Sequence, residues 1–188
     1  MSGSENPLDP ELAAKVELVI FDVDGVLTDG GVYIGSREDG HPIELKRWDI
    51  QDGVGIKMLM WGGLKVVLVS GRVSKATELR AGEIGVECHQ EPDAYKIRVV
   101  ERILAEKGVR WDAVAMLGDD IPDLAVLRRV GFPAAVANAT STVRSIAKWQ
   151  STLRGGHGAV REFCEALLEA RGTLETVIET YVTERSRS

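Results

Sequence analysis

Short runs of Val, Ile and Leu alternate along this chain with longer amphipathic stretches, and that alternation restricts the fold more than any other feature. The runs at 18–21, 65–69, 113–117 and 134–136 are continuous in apolar character, as strands covered on both faces are. Between them, the segments at 52–62, 74–84, 93–108 and 121–131 carry apolar residues three and four apart, and several close on Gly, the residue favoured just past a helix end. Apolar strands joined by crossover helices predict an α/β fold built on a parallel sheet.

Two segments interrupt the rhythm. VYIG and PIELKRW are rich in strand formers around SREDGH, which has turn composition, so 31–48 is expected to be a β-hairpin projecting from the first strand-to-helix connection. Further on, the Gly-rich RGGHG precedes an expected helix over Ala159–Ala170, with Val160, Phe163, Cys164 and Leu167 on one face. The remaining expectations are a flexible N-terminus over 1–15, one domain over 16–175, and a C-terminal tail over 176–188 with a short helical pattern and a frayed end.

Composition limits what such a domain can bind. Its 188 residues fit one domain, and 44% hydrophobic with 28% charged residues is globular composition. Lys and Arg total 23 against 29 for Asp and Glu, a net charge of −6. That balance argues against non-specific attraction to nucleic acid or to an anionic membrane, so an anionic substrate must be captured by a metal or a few placed cations. Cys88 and Cys164 are the only cysteines, too few for a disulfide framework. With no signal-peptide pattern at the start and no apolar run long enough to span a bilayer, a cytoplasmic protein is expected.

The chemistry is concentrated where the expected strands end. Asp22 and Asp24 in FDVDGVLTDG follow the first strand, and in open α/β sheets the ligand crevice lies at the carboxyl ends of the strands. Two carboxylates one residue apart can divide labour, one attacking or binding metal while the other exchanges a proton, and Gly25 permits close approach to a phosphate. Alone, Asp-x-Asp-Gly is equally an acidic turn. The second cluster, Asp119, Asp120 and Asp123 in GDDIPD, ends another expected strand, and with Asp22 it offers the hard oxygens that Mg²⁺ prefers. Asp123 serves either that cluster or as a helix N-cap. Ser70, Gly71 and Arg72 end a third strand, where a hydroxyl and exposed N–H groups can hold a phosphate. Lys96 sits in an expected helix, where pattern alone makes it a solvated residue.

In order and context, DVDGVLTDG, SGR, Lys96 and GDDIPD resemble the four motifs of the haloacid dehalogenase superfamily of phosphatases. The LTDGG stretch, the hairpin, DGVGIK and GGHGAVREFCE look like its small capless subfamily, typified by the 3-deoxy-D-manno-octulosonate 8-phosphate phosphatases. The resemblance implies a Rossmann-like, doubly wound parallel sheet with a projecting hairpin and no separate cap domain. It implies that Asp22 attacks phosphorus and binds Mg²⁺, and that Asp24 is the acid/base and lends its backbone carbonyl to the metal. Asp119 would be the third metal ligand, with Asp120 and Asp123 behind it. Ser70, Lys96, Gly71 and Gly25 would hold the phosphoryl group, and the 31–48 hairpin would build a homotetramer in which a neighbouring subunit helps to close each site.

The substrate implied is a phosphorylated sugar acid, 3-deoxy-D-manno-octulosonate 8-phosphate first, with a nine-carbon ulosonate 9-phosphate as the alternative. Arg72, Gln51 and His157 are candidates to contact it, and Arg72 could equally anchor its own helix. Gln51 stands where an Arg is expected in the subfamily and Asn138 where an Asp is usual, which bears on how a carboxylate is held because Gln does not reproduce the bidentate fork of Arg. Two other readings exist. A catalytically silent oligomerisation module need not retain Asp22, Asp24, Lys96 and Asp119 together, and a phosphoaspartate receiver has no use for an acid/base at Asp24.

Overall fold

The computed structural model describes residues 6–186. Six parallel strands form one sheet in the order β5-β4-β1-β6-β7-β8, made of β1 Leu18–Phe21, β4 Lys65–Ser70, β5 Glu87–Gln90, β6 Val114–Gly118, β7 Phe132–Ala135 and β8 Trp149–Gln150. A separate antiparallel hairpin pairs β2 Tyr33–Ser36 with β3 Pro42–Leu45, inside the expected 31–48 segment. β1 lies between β4 and β6, with Phe21 level with Leu68 and Leu117. The chain therefore fills the sheet on one side of β1 and then crosses to the other, which places a topological switch point, and the crevice that goes with it, at the carboxyl end of β1.

The helices are α1 Pro10–Lys15, α2 Ile50–Trp61, α3 Lys75–Ile84, α4 Lys96–Lys107, the single turns α5 Leu124–Leu127 and α6 Ser141–Arg144, then α7 Ala159–Ala170 and α8 Leu174–Ser186. Every residue of β1 is buried, as continuous apolar character requires. Phe163 of α7 packs edge-on to Phe21 and Trp149, with centroids 5.9 and 5.4 Å apart, and so ties α7 to the sheet. Among the described residues no helix is long and apolar enough to cross a membrane.

Several expectations are corrected. The N-terminus is not flexible from Leu8 onward: Asp9 caps α1, and Leu8 and Ala13 are buried; residues 1–5 lie outside the described residues. The tail forms a 13-residue helix as far as Ser186, held by buried Val177 and by Tyr181 against Trp61 at 4.9 Å; residues 187–188 of the expected frayed end lie outside the described residues. β5 and β8 lack the apolar signal because they are edge strands with polar residues at Glu87, His89 and Gln150. The expected helix at 121–131 shrinks to a 3-10 turn, Ile121–Asp123, plus α5. β6 starts after a 3-10 turn at Trp111–Ala113, and β7 begins at Phe132 with Pro133 inside it.

Candidate active site

The turn after β1 is built by one carbonyl. Val23 C=O accepts from the N–H groups of Leu27 and Thr28, both at 3.0 Å, and from Thr28 Oγ1 at 3.3 Å. Asp22 remains on the sheet ladder, donating its N–H to Leu117 C=O at 3.1 Å. Gly25 has φ +97, and a Cβ there would stand 2.2 Å from Asp119 Oδ2, so both the left-handed backbone and the close approach require glycine. That contact lets the turn after β1 lie directly against the loop after β6.

Lys96, the first residue of α4, is buried rather than solvated: its ammonium binds Asp22 and, at 2.7 Å, Asp123 Oδ1. A tight turn aims it there, with Lys96 N–H donating to Ala94 C=O at 2.8 Å while Ala94 takes φ 56. Asp123 Oδ2 accepts from Asp119 N–H at 3.0 Å. Asp123 therefore faces the cluster, and the cap on Ile121 N–H is Asp120. Asp22, Asp119 and Asp123 each offer a carboxylate oxygen within 4.8 Å of the others.

These charges perturb one another. Burial pushes the Asp22 carboxyl upward, and Lys96 only partly offsets this while Asp123 adds to it. Burial, then the Asp22 and Asp123 carboxylates, raise Asp119. Burial opposes the Lys96 charge, but the two carboxylates together outweigh it and hold the ammonium above its ordinary range. The cluster carries three carboxylates against one cation, the arrangement of a site that accepts a further positive charge.

A cavity of about 330 Å³ opens over this group, lined by Asp22, Asp24, Gly71, Arg72, Ala94, Lys96, Asp119, Asp120, Pro122 and Asp123. Ser70 lies beneath it, accepting from Arg72 N–H at 3.1 Å, with Oγ 3.5 Å from Asp24 Oδ2. Gln51, exposed at the start of α2, and His157, exposed in the loop before α7, do not line it. A larger concavity of about 620 Å³ on α8 is lined only by Glu and Thr side chains, with no cation to hold a phosphate.

Four residues escaped the sequence reasoning or took another role. Lys46 lies 2.7 Å from Asp24 Oδ1, and Glu44 binds Arg72 at 2.9 Å and Ser74 Oγ. The Ser74 hydrogen bond, ahead of Lys46 and Arg72, holds the Glu44 carboxyl below its usual range against the effect of burial. Asn138 donates to Gly25 C=O at 3.2 Å and accepts from Gly155 N–H at 2.7 Å, clamping the turn after β1 to the Gly-rich loop. Asp52 of α2 is buried and accepts from Arg161 N–H at 2.8 Å, capping α7 from outside, since Gly158 offers no side chain.

Comparisons with known proteins agree with this geometry. The family profile described as haloacid dehalogenase-like hydrolase matches residues 90–162. The 3-deoxy-D-manno-octulosonate 8-phosphate phosphatase of Yersinia pestis is 36% identical over 163 residues, 87% of this chain and 85% of that protein. A crystal structure assigned to the YrbI family of phosphatases, from Pseudomonas syringae, superposes with a TM-score of 0.84 at 44% identity, covering 92% of this chain and 96% of the other. The phosphatase of the same octulosonate ester from Moraxella catarrhalis, solved with magnesium, phosphate and KDO, gives 0.83 at 32% identity over 92% and 97% of the two chains.

Proposed function

This chain belongs to the haloacid dehalogenase-like hydrolases, and from that premise we propose that it is a Mg²⁺-dependent phosphomonoesterase acting on 3-deoxy-D-manno-octulosonate 8-phosphate. The observation that carries the proposal is the buried Lys96 bound to both Asp22 and Asp123, with Asp119 and Asp24 at the same cavity. At this crevice Asp22, Asp119 and Asp123 face one cation, Lys96, while Asp24 pairs with Lys46.

Asp22, Asp119 and the backbone carbonyl of Asp24 would hold the metal. The fit is supported by the carboxylate oxygens of Asp22 and Asp119, which lie within 4.8 Å of each other, comparable to the about 4.2 Å between opposite ligands of an octahedral Mg²⁺. When bound, the ion supplies positive charge that offsets repulsion between a carboxylate and a phosphate dianion. Asp22 then places one oxygen on phosphorus while the bond from phosphorus to the sugar oxygen breaks, and Asp24 gives that oxygen its proton. In the second step Asp24 takes a proton from water, the water oxygen bonds to phosphorus, and the bond to Asp22 breaks to release phosphate. Lys96, Ser70 and the backbone at Gly71 and Gly25 hold the phosphoryl oxygens, so that catalysis is mainly positioning and charge stabilisation. Asp120 and Asp123 support the metal loop and Lys96.

The hairpin leaves Tyr33, Ile34 and Leu45 exposed at 62%, 78% and 61%, on its two faces, and we assign these side chains to contacts with other copies in a homotetramer. The free Cys88 and Cys164 suit a reducing compartment, the cytoplasm. The test is phosphate release, with and without Mg²⁺, from a panel holding the octulosonate ester and a nine-carbon ulosonate 9-phosphate, with Asp22→Asn as the blank. Metal-dependent preference for the octulosonate ester, lost in a folded Asp22→Asn protein, is expected. Turnover by pure Asp22→Asn would sink the mechanism, and preference for the nine-carbon ester would move the substrate.

A further inference from the structure

We propose that Lys46, on the hairpin, is a positioning residue for the proton-transfer group Asp24. This inference rests on the acid/base role given to Asp24 above. The Lys46 side chain is fully buried, with 0% exposed, although the hairpin that carries it is largely solvated. A buried ammonium persists only where it is paired. Its partners come from three elements: Asp24 Oδ1 at 2.7 Å, Thr77 Oγ1 of α3 at 3.2 Å and Glu44 Oε1 of β3 at 3.7 Å.

Asp24 is held by little else. Its other neighbours are Ser70 Oγ, a long hydrogen bond at 3.5 Å, and Arg72 Nη1 at 3.8 Å, and Arg72 is committed to Glu44 at 2.9 Å. Without Lys46, the carboxylates of Asp24 and Glu44 would face each other across an empty place, and repulsion would turn Asp24 from the leaving oxygen. Lys46 does not line the cavity over the acidic cluster, and its partners include none of the metal ligand atoms assigned above. It acts through Asp24 by fixing where that carboxyl points. Glu44 in β3 and Lys46 just past its end thereby make the hairpin part of its own chain's catalytic geometry.

The test uses a property that a merely structural residue does not affect. A sugar alkoxide needs a proton as it leaves, and p-nitrophenolate does not. Rapid-quench measurement of first-turnover release from the octulosonate ester and from p-nitrophenyl phosphate isolates the step in which Asp24 acts as acid. General acid catalysis contributes roughly 10²–10⁴-fold. Lys46→Met should therefore lose at least about tenfold more on the sugar ester than on the aryl ester. Thr77→Val, which removes one anchor of the ammonium and keeps the volume, should show the same bias to a smaller degree and keeps the test open if Lys46→Met fails to fold. Equal losses on both substrates would overturn the proposal while leaving the phosphatase reading intact. A wild-type protein inactive on both would overturn that reading and this one with it.

Discussion

The Gly-rich loop before α7 should be as necessary as the acidic residues, and Gly155→Ala tests why. Gly155 is buried, and a Cβ there would stand 1.8 Å from Gly25 O, 2.5 Å from Gly25 C and 2.9 Å from Val26 N. An ordinary contact begins at 3.4 Å, so the methyl is short of the carbonyl oxygen by about 1.6 Å. All three obstacles are backbone, so no side chain can swing aside. Overpacking of this kind costs about 1–3 kcal/mol. Separating the strands of chain also strains the bonds from Gly155 N–H to Asn138 and from Gly156 N–H to Val26 C=O, each worth about 1 kcal/mol. A total of about 3–5 kcal/mol corresponds to a fall in Tm of about 6–20 °C for a domain of this size. Because the displaced turn carries Asp24, and a shift of about 1 Å can cost 10²-fold, kcat should fall by about two orders of magnitude. Thermal unfolding by circular dichroism and steady-state phosphate release read the two effects. Gly82→Ala on α3, with nothing within 4 Å of its Cβ, is the control and should be neutral or stabilising by about 0.5–1 kcal/mol. A Gly155→Ala protein with Tm within 2 °C and kcat within about twofold of the parent would show that the loop does not pin the turn.

Two further outcomes follow from the same geometry. Burial, partly offset by the Arg161 N–H, lifts the Asp52 carboxyl from 3.8 to about 6; the folded state thus keeps a proton that the unfolded chain releases, and stability falls as pH rises through that window, by about 3 kcal/mol in all. Urea unfolding of Asp52→Asn beside the parent at pH 4 and pH 7 should show the variant gaining relative stability at the higher pH, and a difference that does not change with pH would refute it. Ile34→Lys on the hairpin, where Ile34 is 78% exposed within its own chain, should lower the sedimentation mass toward the monomer while leaving the far-UV circular dichroism of the folded chain unaltered; an unchanged mass would remove Ile34 from the interface.

What the sequence made legible divides along a physical line. Asp22, Asp119, Ser70 and the strands that carry them could be read because a buried parallel strand writes its whole length in apolar residues, and the residue that ends it is then located to within one position. The edge strands β5 and β8 could not, because an edge strand needs no such run and pairs through backbone groups that any side chain permits. Lys96 was placed by its motif alone. Its pattern said solvent, and only the fold shows Asp22 and Asp123 gathered around it from 74 and 27 residues away. Lys46, Glu44, Asn138 and Asp52 share that property without belonging to the four catalytic motifs. Each is a polar residue whose partner lies across a gap in sequence that local periodicity does not see, as with Asp52 and Arg161, 109 residues apart. Asn138 marks the sharpest contrast. As a departure from the subfamily pattern it bore on substrate choice, whereas its side chain spans Gly25 and Gly155 inside the same brace that Gly155→Ala would break. Carboxylates that do chemistry announce themselves at strand ends, and the polar groups that hold them still become visible only once distant turns are brought together.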